Sequence, residues 1–140
     1  MSWRYCAIAC CVWLAGCATH APAAGRGPCG DGEQAWQRST LYFGTDIPTG
    51  GTVDARAWDG FLASEVSPRF PDGLTWFDAH GQWRGDDRRI VHEDTHVLVL
   101  LHAGDVASHR DVAAIAAAYR QRFAQQSVLE EHTGTCVRFH

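Results

Sequence analysis

Val97-Leu98-Val99-Leu100-Leu101 places five apolar residues in a row inside the stretch "RRIVHEDTHVLVLLH". The run is short and rich in strand formers. As a β-strand it points Val97, Val99 and Leu101 to one side and Leu98 and Leu100 to the other. A strand that is apolar on both faces should be covered on both. The chain must therefore fold into a layered structure around this segment, and one layer of helices would leave half of the requirement unmet.

The same stretch contains His92-Glu93-Asp94-Thr95-His96, which spells the H-E-x-x-H of zinc proteases. That chemistry needs both histidines one helical turn apart, so that two imidazoles converge on one metal. Here Gly85 and the charged residues 86–89 make a turn before the motif, and the strand run follows it. In an extended chain the two histidines face the same way but lie about 13 Å apart, at roughly 3.3 Å per residue. One zinc cannot bridge that distance, so the zinc-protease reading of His92 and His96 is rejected. Both are expected to be solvent-facing strand residues.

Around this strand the pattern alternates between periods of two and 3.6. "TLYFGT" reads as a strand that stops at Pro48 and the Gly50-Gly51 pair. Asp54 can cap a helix with Trp58, Phe61, Leu62 and Val66 on one face, ended by Pro68 and Pro71. "GLTWFDAHGQW" is a second strand, and Gly85-Asp86-Asp87 turns into the central one. Ser108 with Asp111 resembles a capping box and opens a helix carrying Val112, Ile115, Tyr119 and Phe123. "SVLEEH" and "TCVRF" close the chain as a strand interrupted by Gly134. The order βαββαβ with right-handed crossovers predicts a ferredoxin-like α+β sandwich, a four-stranded antiparallel sheet with two helices on one face.

Before this domain lies a different kind of sequence. Arg4 and the short apolar run "CAIACCVWLAG" read as an export leader over residues 1–16, too short to span a bilayer as a helix. Leu14-Ala15-Gly16-Cys17 resembles a bacterial lipobox, which implies diacylglycerol on Cys17 and cleavage before it. Ala18 rather than Asp after the lipid site favours, by analogy, the periplasmic face of the outer membrane. Residues 17–28, with "ATHAPAAGRGP", form a flexible tether, and 29–140 a single α+β domain. Cys6, Cys10 and Cys11 leave with the leader, and Cys17 takes the lipid. Cys29 and Cys136 then remain in an oxidising compartment, either bridged or as two free thiols.

Composition closes off some chemistry. The chain has a formal net charge of −4 and no basic stripe, which argues against nucleic acid. All its basic residues are Arg, so Schiff-base and P-loop mechanisms have no lysine to use. No strained serine elbow is present, and no cofactor is expected.

From Trp36 to Phe139, "LYFGTDIP", "PRFPDGLTWFDAHGQWRG", "VLVLLH", "AAYRQRF", "QQSVL" and "CVRF" resemble a bacterial lipoprotein family, domain of unknown function 3574. The resemblance implies a lipobox and two outer cysteines. It also implies that histidines at 92 and 96 are peculiar to this chain. It carries no activity.

The densest unusual chemistry is "PRFPDGLTWFDAHGQW". Strand alternation puts Trp76, Asp78, His80 and Gln82 on one face and Phe77, Ala79 and Trp83 on the other. The apolar set is expected under the helices, and the polar set on the open face. There Asp78 could orient His80 as a general base. Arg69 and Asp72 are expected to pair at the helix-to-strand turn. These expectations combine into a homodimer, packed through the open sheet faces around a cavity edged by Asp78, His80 and Gln82. The function expected is a small-ligand-binding or accessory envelope lipoprotein with candidate ligand residues Asp78, His80, Gln82, Arg69 and Trp76. The alternative is a small cofactor-free enzyme of the dimeric α+β barrel type, an isomerase or monooxygenase using His80 and Asp78. A purely structural envelope role is the third class.

Overall fold

The computed structural model describes residues 29–84 and 88–140. The expected leader, lipobox and tether, and the turn expected at Gly85-Asp86-Asp87, fall outside the described residues. The element order is β1 (Gln34–Gly44), α1 (Ala55–Phe61), β2 (Thr75–Arg84), β3 (Ile90–His102), α2 (Val106–Arg122) and β4 (Leu129–Val137). The strands form one sheet in the order β2-β3-β1-β4, with every neighbouring pair antiparallel. This is the ferredoxin-like arrangement, and β3 with its apolar run occupies an inner position beside β1.

Local chemistry explains the helices. Asp54 caps α1, its Oδ1 accepting from the Ala57 backbone N–H at 2.8 Å. The helix then widens into one π turn over Leu62–Val66, closed by the Ser67 N–H donating to the Leu62 carbonyl. Pro68 has no N–H with which to extend it. Trp58, Phe61, Leu62 and Val66 are all buried, as their spacing predicts. The α2 cap is a correction. Asp105, not Ser108, is the N-cap, and its carboxylate accepts from both the backbone N–H and the hydroxyl of Ser108 at 2.7 Å. Those bonds hold the Asp105 carboxyl below the usual range. Two strands are also longer than expected. β1 begins at Gln34, and β4 runs without interruption through Gly134.

The core lies between the helices and one sheet face. Leu41 and Phe43 of β1 and Leu98 and Leu100 of β3 meet Trp58, Phe61 and Val66 from α1 and its π turn, and Val112, Ile115 and Tyr119 from α2. Aromatic rings dominate it. Phe43 lies 4.6 Å from Tyr119 and 5.3 Å from Trp58, with tilted planes that suit ring quadrupoles. The Tyr119 hydroxyl donates to the Gly44 carbonyl at 3.0 Å, and burial pushes its pKa up.

Cys29 and Cys136 are joined by a disulfide, which resolves the two possibilities left by the sequence. It closes a loop of 107 residues and ties the segment before β1 to β4. In the chain-entropy view a loop of that size is worth about 4–5 kcal/mol.

Candidate functional site

The core decides which side of β2 faces the helices. Leu98 pairs with Leu41 on one flank and with Trp76 on the other, so Trp76 belongs to the helix side. Asp78, His80 and Gln82 follow by alternation. This reverses the expected assignment. Phe77 and Trp83, 50% and 55% exposed, stand on the open face.

On the helix side the hairpin of β2 and β3 carries two crossed His–Asp pairs. His96 Nδ1 lies 2.7 Å from Asp78 Oδ1, and His80 Nδ1 lies 2.6 Å from Asp94 Oδ1. Each carboxylate thus orients the imidazole on the opposite strand, because direct cross-strand neighbours are closer than residues two apart on one strand. Asp78 does not orient His80, and the acid–base pair expected from the sequence is not formed. His96 is a further correction. Instead of facing solvent it is only 9% exposed and stacks on Trp58, with ring centroids 4.5 Å apart and planes at 22°. Trp76 meets both rings edge-on. The outer pair is solvated, with His80 and Asp94 side chains 87% and 72% exposed. His92 is exposed as expected.

The histidines of the H-E-x-x-H sit in the extended strand β3, so the helical geometry of a zinc protease is not present. Among the described residues no three His, Cys, Asp or Glu side chains are grouped so as to hold a metal ion. Arg69 does not pair with Asp72. It bonds Glu65 one turn earlier, at 3.0 Å, and lines a shallow cleft near His102.

A cavity of about 680 Å³ opens on the other face of the sheet. Its floor is Tyr42 and Gly44 of β1 with Val91, Glu93 and Thr95 of β3, and Trp83 of β2 stands beside them. Ile47 and Pro48 form one rim, and residues 125–127 with Leu129 form another. Two anchors hold the rims. The Gln125 side-chain N–H donates to the Asp46 carbonyl at 2.6 Å, and the Thr45 hydroxyl donates to the Asp94 carbonyl at 3.0 Å.

Glu93 is the chemically distinctive group of this cavity. It stands between two glycines, with Gly81 opposite it on β2 and its carboxylate folded over Gly44. A Cβ at Gly44 would overlap that carboxylate. Partial burial pushes the Glu93 carboxyl above its usual range, and the nearby Asp46 charge adds to the shift. Tyr42 donates to Glu131 at 3.1 Å, a bond that raises the phenol above its usual value.

Sequence reading missed Glu93, Tyr42 and Trp83 as partners. In the sequence Glu93 stands out only as the middle of the H-E-x-x-H. One usable signal existed: Gly81 interrupts an otherwise regular strand, which marks a close approach.

A family profile described as "protein of unknown function (DUF3574)" matches residues 38–139. Among solved structures, a phage SAM lyase in complex with S-methyl-5'-thioadenosine is similar, with a TM-score of 0.56 at 13% identity over 79% of this chain and 92% of that one. The same enzyme's apo state gives a TM-score of 0.52 at 13% identity, covering 74% and 89%. At that identity the likeness is one of fold. No curated protein sequence matches.

Proposed function

The chain belongs to the DUF3574 family of proteins of unknown function, and from that premise we propose that it binds a small ligand on the open face of its sheet. The observation that carries this reading is the cavity of about 680 Å³, whose floor holds the half-buried carboxylate of Glu93 beside Trp83 and Tyr42. Size, aromatic walls and one perturbed titratable group are the usual attributes of a ligand site. The binding surface is therefore the face opposite Asp78, His80 and Gln82.

The SAM lyase of similar fold holds S-methyl-5'-thioadenosine, which makes that molecule a rational first probe. Native mass spectrometry of the full chain, released from detergent, should show a retained small molecule or a saturable adduct with the probe. The adduct should be lost in Trp83→Ala and kept in His80→Ala, which lies on the other face. A protein that carries nothing and takes up no probe contradicts the reading. So does one in which His80→Ala abolishes binding and Trp83→Ala does not.

We also propose that the protein is exported and anchored by lipid on Cys17, on the strength of Leu14-Ala15-Gly16-Cys17. Two or three acyl chains anchor a protein stably where one does not. Cys17→Ala should move the protein from the membrane to the soluble fraction. An unchanged distribution would contradict the anchor.

A further inference from the structure

The cavity has an unbalanced charge. Glu93 and Asp46 both line it, and none of its described lining residues is Arg or His. Proteins usually pair a partly buried carboxylate with a donor. Here Gly81 is the direct cross-strand partner of Glu93 and its carboxylate lies over Gly44, so neither of these positions brings a side chain against it. Tyr42, Trp83, Val91, Ile47 and Leu129 offer ring faces and apolar surface, and Thr95, Gln125, Gln126 and Ser127 add only neutral polar groups.

These features select among ligand chemistries. An anion would meet two carboxylates with no compensating cation among the described lining residues. A hard metal ion requires several oxygen ligands around one point, and among the described residues no such group exists. A weakly hydrated organic cation suits all of them. It gains from the carboxylates electrostatically, from the aromatic faces through the ring quadrupole, and it loses little hydration on entry.

We propose that the open-face cavity takes a small organic cation of the onium type carried on an apolar body, with the positive centre toward Glu93 and Asp46 and the body against Trp83. The proposal rests on this cavity being the ligand site and adds the charge of what it holds. Glu93 is the specificity-determining residue, because its position over Gly44 puts the negative charge at the floor rather than the rim.

Choline and 3,3-dimethylbutan-1-ol test this directly, since they share a shape and differ by a positive charge. The full chain in a maltoside detergent is titrated with each, and binding is followed by saturation-transfer NMR on the probe. Choline should bind about tenfold more tightly than the alcohol, the scale set by a partly desolvated cation–π and carboxylate contact. Glu93→Gln and, separately, Asp46→Asn should shrink that preference, while His80→Ala should leave it intact. Equal binding of both probes to the unmodified protein overturns the cation proposal and leaves the ligand site standing. Binding of neither overturns the cation proposal, and the ligand site then stands or falls on the retained molecule or thioadenosine adduct. A preference that survives in Glu93→Gln and Asp46→Asn removes the carboxylates as its source and overturns the assignment.

Discussion

The imidazole of His102 lies buried at the end of β3 on the helix side of the sheet, with Nε2 3.0 Å from the Ser39 hydroxyl and Nδ1 accepting the Gly104 backbone N–H at 3.1 Å. A backbone N–H can only donate, so Nδ1 must be unprotonated and the ring neutral. Burial lowers its pKa, and the neighbouring His109 lowers it further, while Asp105 and Glu130 oppose the shift. The sign follows from linkage. The unfolded chain takes up this proton below about pH 6.5, where the folded chain still refuses it. Stability from His102 is therefore present above that pH and is lost as pH falls toward the lowered folded value. The thermal midpoint should drop between about pH 7 and pH 5, and His102→Gln should be less stable at pH 7 with a flatter dependence. An unchanged slope in the variant would show that another group is responsible. The motif histidine His96 illustrates a different point at this scale. Its burial is set by Trp58, which is distant in sequence and touches it only after the sheet and helix layers meet.

Among the elements, the β2–β3 hairpin shows why alternation along a strand does not by itself say which face meets the helices. Phe77, Ala79 and Trp83 are the more apolar set of β2, and apolar residues ordinarily turn toward the helices. Register decides otherwise. β3 is committed by Leu98 and Leu100 to the helix side, and pairing places Trp76 beside Leu98. His80, further along β2, is solvated although it is on the helix side. A polar residue there costs little, so composition stops indicating direction. The helices were more legible because their apolar positions repeat over several turns. The π turn was not legible, since it changes which residues face inward by only one position.

Across the whole molecule, the open sheet face combines the cavity at Glu93 with exposed Phe77, Trp83, Leu101 and Leu129. Part of the expected need for cover is met within the sheet. Val97 is 2% exposed with no helix above it, and its cross-strand neighbours on that face are Tyr42 and Phe77. We propose that a second copy, packed face to face, shields the rest. The cavity enclosed would be edged by Glu93 and Tyr42, not by Asp78, His80 and Gln82. Sedimentation of the full chain in density-matched detergent should give a dimer that Phe77→Glu dissociates. A monomer at micromolar protein would count against the dimer and leave the single-chain cavity in place.

What the sequence determined by itself was the order of elements, the helix faces, the α1 cap and the ferredoxin-like class, because these rest on local periodicity and on chain connectivity. It also excluded the zinc-protease geometry, since the strand character of residues 92–102 is a local property. Only the tertiary structure decided which face of β2 meets the helices, which aspartate serves which histidine, and that Glu93 lies between Gly44 and Gly81. Those facts depend on register between strands that meet across long separations, and a one-residue shift of register moves every side chain to the other side.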